Sequence, residues 1–174
     1  MTDAPHDAYT PRLSKGQRRL STIFASMPAA REQLLVAIDE FAPNFDLQAF
    51  VDAAQSPDAK ERNKVAVIER EYEVLLNWCN ELATRLLAEG QRLGVVDKDP
   101  GYPWQRLAEL GVISARSAER LQDAMEMRDS LGHAYPPANW RTLHEGVQTL
   151  LEEIDRYVDR TASWASELGI LPEA

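Results

Sequence analysis

Between Val65 and Leu86 the apolar residues fall at Val65, Ile68, Tyr72, Leu75, Cys79, Leu82 and Leu86, in alternating steps of three and four. A strand would place every second residue on one face, so this spacing has one regular solution. It is a helix of about six turns carrying a single apolar stripe. Such a stripe must be covered along its whole length, and in a chain of 174 residues that demands other helices beside it. The spacing predicts an all-α, antiparallel helical bundle with short connections.

The flanking text supplies those helices. Ser56 reads as the N-cap of the long helix, with Pro57 at its first position and Asp58 at the positive end of its dipole, and Gly90 or Gly94 as its stop. Upstream, Leu20, Ile23, Phe24 and Met27 give a short amphipathic helix. Pro28 then opens a second with Leu34, Leu35, Ile38 and Phe41 on one face, broken by Pro43 and Asn44, and a third starts at Asp46 with Phe50 and Val51 inward. Downstream, 94–103 is a loop and Trp104 to Leu110 a short helix closed by Gly111. Ser114 or Ser117 caps a helix with Ala118, Leu121, Met125 and Leu131 inward, ended by Gly132 and the Pro136–Pro137 pair. Asn139 caps the last helix, whose stripe is Leu143, Val147, Leu150, Ile154 and Val158. The two long helices, near 57–90 and 139–165, are expected to run antiparallel with the 114–131 helix between them. Residues 1–55 read as an N-terminal helical extension with a flexible tail over 1–13, and 56–174 as the main bundle domain.

Composition narrows the function. A net charge of −9 repels a polyphosphate at long range, which argues against indiscriminate nucleic-acid coating. A local cationic site survives, because exposed charges are screened beyond about 8 Å at physiological salt. The single cysteine, Cys79, sits in the apolar stripe and has no intramolecular partner, and no Cys/His spacing suits zinc. His144 lies in H-E-G-V-Q, which lacks the second histidine of a zinc-protease helix. The N-terminus has no apolar signal region, and no apolar run approaches a membrane span, so a cytoplasmic location away from the membrane is expected. Lys15, Arg18 and Arg19 form either a solvated helix face or a contact for RNA or a partner. Trp104, Trp140 and Trp164 read as packing residues.

The chemistry is concentrated in Arg128-Asp129-Ser130-Leu131-Gly132-His133-Ala134-Tyr135, the pattern R-x-x-x-x-H-x-Y. Arginine is a permanent cation whose fork holds a phosphate or an extra negative charge. Histidine moves protons near neutral pH. Together they are a minimal kit for cutting RNA without a metal: imidazole assists the 2′-hydroxyl, and guanidinium stabilises the charge that develops at phosphorus. In a chain of this composition the Arg/His pair is expected by chance about 0.3 times, and with the tyrosine about 0.01 times, so the triad carries the signal. Residues five apart lie about 140° apart around a helix, so Arg128 and His133 do not share a face. Either Gly132 loosens the helix before His133, or two copies meet so that one chain's arginine faces the other's histidine. The bland alternatives stay open: Arg128 in an ion pair with Glu126 or Asp129, His133 on the helix dipole, Tyr135 closing a loop.

R-x-x-x-x-H-x-Y resembles the active-site motif of HEPN proteins of the HepT type. PGYPWQRLAELGVISARSAERLQDAMEMRD is similar to that family's loop, short helix, glycine turn and motif helix, and KVAVIEREYEVLLNWCNELATRLL to its long preceding helix. The likeness covers roughly 57–165. It implies a HEPN-like four-helix core with extra N-terminal helices, and a homodimeric, metal-independent endoribonuclease toxin that needs no cofactor. Arg128 and His133 would be catalytic, with Asp129 supporting the arginine. The resemblance also implies an antitoxin partner, a small nucleotidyltransferase, which in some members adds AMP to the tyrosine that is Tyr135 here. A second class stays open beside the enzyme, a non-cleaving HEPN subunit that binds, regulates or is modified by that partner. Position 132 is Gly where the family commonly has a bulky aliphatic, and Pro136 and Pro137 follow the tyrosine where it usually has a polar residue.

Overall fold

The structure is a computed structural model that describes residues 13–41, 43–97, 101–131 and 138–171. Among them are six helices and no strand: α1 Lys15–Asp39, α2 Leu47–Gln55, α3 Ala59–Arg92, α4 Pro103–Glu109, α5 Ala115–Leu131 and α6 Ala138–Glu167. The chain is all-α, as the periodicity requires. Every residue of the predicted α3 stripe, from Val65 to Leu86, is buried. Gly94, at φ 75°, ends the run. The Gly94 N–H donates to Gln91 O at 3.0 Å and the Val95 N–H to Gly90 O at 2.9 Å, closing the last carbonyls of α3 in a left-handed cap.

Three local expectations are corrected. Pro28 does not open a second helix; it lies inside α1, a single helix capped by Ser14. Interior proline costs about 3 kcal/mol. Against that, Leu20, Ile23, Met27, Ala30, Leu34 and Ala37 form one unbroken buried stripe across the proline, and each large member contributes about 1.5–3 kcal/mol. Packing outweighs propensity. At the start of α3 the cap is Asp58, not Ser56: Asp58 Oδ1 accepts from Lys60 N at 2.9 Å, and Ser56 is the last residue of the α2 cap. At α6 the helix already includes Ala138, so Asn139 lies within it rather than before it.

The two long helices run parallel, not antiparallel. Gly146 lies against Tyr72, the Tyr157 hydroxyl donates to Cys79 O at 2.8 Å, and Trp164 lies against Gly90, so residue numbers rise together along α3 and α6. Each consecutive pair of long helices is still antiparallel, with α2 and α4 lying in the first two connections. Arg19 of α1 meets Glu81 of α3, while Ala37 and Lys64 line one groove at the other end. Ser117 meets Glu153, and Met127 meets Gly146, across α5 and α6. Two reversals restore the direction, and α5 opposes both long helices.

An aromatic cluster ties the 41–46 turn to α6. Phe41, Phe45 and Phe50 pack edge to face with centroids 5.5–6.1 Å apart, and His144 stacks on Phe45 at 4.3 Å. The buried His144 ring is hydrogen-bonded to the Phe45 carbonyl through Nε2. Arg19 makes a bidentate pair with Glu81 and lies over the Trp78 ring, so this member of the Lys15/Arg18/Arg19 cluster is committed to holding α1 on α3. Trp104 is buried, and so is Cys79, whose thiol is pushed far up by desolvation. Among the described residues no helix is long and apolar enough to cross a membrane.

Candidate active site

The site is built on the C-terminal end of α5. Ser114 sets where this helix starts: its Oγ accepts from Ser117 N at 3.0 Å. Ala118, Leu121 and Ala124 then turn inward, and Met125 is half-buried. Deep in the bundle, Ser117 donates to the buried Glu153 of α6 at 2.8 Å, and Arg120 reaches the same carboxylate at 2.7 Å. Burial pushes the Glu153 carboxyl up, but the bonds from Ser117 and Arg120 and the charges of Arg156 and Arg120 outweigh it and hold it below its ordinary value. This cluster fixes the rotation of α5 at its N-terminal end.

At the other end the register is set by α3. Tyr72 Oη donates to the Ala124 carbonyl at 3.3 Å. One turn beyond Ala124 stands Arg128, and one residue beyond Tyr72 stands Glu73. The two meet: Arg128 NH2 lies 2.9 Å from Glu73 Oε1. Its NH1 faces Asp129 Oδ1 at 3.1 Å and Met125 Sδ at 3.8 Å. The hydrogen bond with Glu73 is the chief cause of the raised Arg128 pKa, and burial opposes it. The Arg128 side chain is 31% exposed and its guanidinium is held from two sides. Beneath this point the Met127 side chain fills the space over Gly146, where a Cβ would meet its Cε at 1.9 Å and oblige that side chain to move.

Of the residues singled out by sequence, the structure brings Arg128 and Asp129 together. His133 and Tyr135, with Gly132, Pro136 and Pro137, lie outside the described residues, as do the side chain of Leu131 and residues 1–12 of the tail. Glu73 was missed. In sequence it is one of many exposed acids on α3, and only the rotation of α3 against α5 reveals its partner. Among the described residues no group of three or more His, Cys, Asp or Glu is placed to hold a metal ion.

A groove of about 610 Å³ between α4 and α5 is lined by Tyr102, Glu109, Glu119, Asp123 and Glu126 among others and by no cation. Its charge is wrong for a phosphate backbone. The Arg128 end of α5 instead presents a cation, as does the groove lined by Ser114, Ser117, Arg156 and Arg160 between the 111–117 segment and α6.

Residues 34–161 match the family described as Ribonuclease HepT-like, well over half of the chain. The chain belongs to that family. Comparison with curated proteins and with solved structures found no match. The HepT-like region opens inside α1 and runs through most of α6. It therefore includes Glu73, Arg128 and the whole R-x-x-x-x-H-x-Y segment.

Proposed function

We propose that this HepT-like chain is a metal-independent endoribonuclease toxin whose site forms where two copies bring their motif helices together. The observation that carries the reading is the family match across a segment that keeps arginine, histidine and tyrosine at R-x-x-x-x-H-x-Y. In the reaction, the His133 imidazole takes the proton of a ribose 2′-hydroxyl as that oxygen attacks the adjacent phosphorus. The bond to the 5′-oxygen breaks, the leaving oxygen takes up a proton, and the products are a 2′,3′-cyclic phosphate and a 5′-hydroxyl. Arg128 stabilises the charge gathered on the non-bridging oxygens. Asp129, 3.1 Å from the guanidinium, supports its position. The partner is a small nucleotidyltransferase acting as antitoxin, and its target is the Tyr135 hydroxyl.

The test is induced expression of wild type beside Arg128→Ala and His133→Ala, scored for growth arrest and RNA fragments, with and without EDTA. Loss of a charge-stabilising donor costs about 10²–10³ in kcat and loss of a general base about 10²–10⁴, so each variant should lose nearly all cleavage. A mixture of the two variants should regain part of the cleavage, because a mixed dimer rebuilds one intact arginine–histidine site. Activity in either single variant equal to wild type defeats the assignment, and cleavage abolished by EDTA and restored by magnesium defeats the metal-independent mechanism. The second reading, a non-cleaving subunit regulated or modified by the nucleotidyltransferase, draws support from Gly132 and Pro136. Wild type that neither arrests growth nor fragments RNA would favour it.

A further inference from the structure

Arg128 does not stand as a free cation. Among the described residues Glu73 and Asp129 contact it at 2.9 and 3.1 Å, so two carboxylates already lie on the guanidinium. A phosphate approaching this guanidinium has to compete with those carboxylates. The two carboxylates are not equivalent. Asp129 is the next residue on the same helix, at the frayable end of α5, and is 65% exposed. Glu73 comes from the middle of α3, one residue beyond the buried Tyr72 that ties α3 to α5, and its side chain is 49% exposed.

We infer that Glu73 is a positioning residue that sets the charge and the direction with which Arg128 meets RNA; this rests on the proposed role of Arg128. Two effects follow, and they separate by substitution. The negative charge of Glu73 weakens ground-state capture of a phosphate by the guanidinium, because the phosphate competes with a carboxylate already bound. Its oxygen also orients the guanidinium, and a neutral acceptor of the same shape keeps that direction through a weaker hydrogen bond. Glu73→Gln removes the charge and keeps the acceptor. Glu73→Ala removes both.

The experiment measures binding of a fluorescent single-stranded 2′-O-methyl RNA, which lacks the nucleophile and cannot be cut, by anisotropy across a salt series. Cleavage of the unmodified RNA is followed in parallel. Glu73→Gln should tighten Kd about 1.5-fold to fivefold, steepen the log–log salt slope by up to about 0.7, and lower kcat much less than Glu73→Ala does. Glu73→Ala should tighten Kd similarly while kcat falls about tenfold, since the guanidinium is no longer aimed. In an Arg128→Ala background, Glu73→Gln should leave Kd unchanged. A merely structural Glu73 would lower the melting temperature of both variants without moving Kd, salt slope or kcat, and that result overturns the inference. Tightening that persists without Arg128 overturns it too, because Glu73 would then act on RNA directly. If Arg128→Ala binds and cleaves like wild type, the reading of the site itself falls. Arg128→Ala silent with Glu73→Gln unchanged sinks only the role of Glu73.

Discussion

Replacing Pro28 with alanine should stabilise this protein, and the sign of the effect decides between two architectures. Pro28 is exposed and sits fourteen residues into α1, opposite the Phe24 carbonyl, to which it has no N–H to donate. Interior proline is about 3 kcal/mol worse than alanine. Removing it also frees the unfolded chain, which costs about 0.4–1 kcal/mol. No burial is lost at an exposed position, so the net gain is about 2 kcal/mol. Thr22 and Ser26, whose hydroxyls bond the Arg18 and Thr22 carbonyls at 3.0 and 2.8 Å, are untouched by the change. For a chain of this size the gain corresponds to about 4–8 °C in Tm. In urea, with m about 2 kcal/mol/M, the midpoint should rise by about 1 M at constant m. Circular dichroism at 222 nm and tryptophan fluorescence should report the same shift. If two helices met at Pro28, the proline would occupy a first-turn position where it is well tolerated, and Pro28→Ala would be neutral or slightly destabilising. A midpoint unchanged or lowered at constant m would refute the continuous α1.

The remaining expectations concern charge and modification. Because Glu153 is held below its ordinary carboxylate value of 4.5, its contribution is fully present above that pH and is lost as pH falls through the depressed value. Glu153→Gln should therefore cost about 2–3 kcal/mol at pH 7, short of a fully buried pair because Arg120 and Arg156 reach water, and should flatten the acid limb of a Tm-against-pH plot; an unchanged limb would mean that the carboxylate is not what acid disrupts. Tyr135→Phe should still cleave RNA, since the hydroxyl takes no part in proton transfer, yet should escape silencing by AMP transfer from the cognate nucleotidyltransferase. Full control of that variant through AMP transfer would place the target elsewhere.

What the sequence made legible was whatever a single helix decides alone. The α3 stripe was readable because periodicity is a property of one segment, and the Ser114 cap because it acts three residues away. Pro28 was misread because local propensity voted for a break, while the vote that won came from α3, whose side chains cover the α1 stripe. The direction of α6 against α3 was misread because antiparallel packing was applied to helices separated by two reversals instead of one. His144 could not be placed at all: its partners are the Phe45 ring and carbonyl, offered by a turn in which Phe45 takes φ 48°. The candidate site divides along the same line. R-x-x-x-x-H-x-Y is legible as chemistry because residue types alone name a cation, a base and a hydroxyl. The field in which that chemistry acts is not legible, because it is set by the rotation of α3. A motif says that Arg128 is a cation awaiting a phosphate; the fold puts Glu73 against it first. If RNA binds here as proposed, its phosphate must displace or share with the Glu73 carboxylate, and the strength of that binding would be decided as much on α3 as on the motif helix.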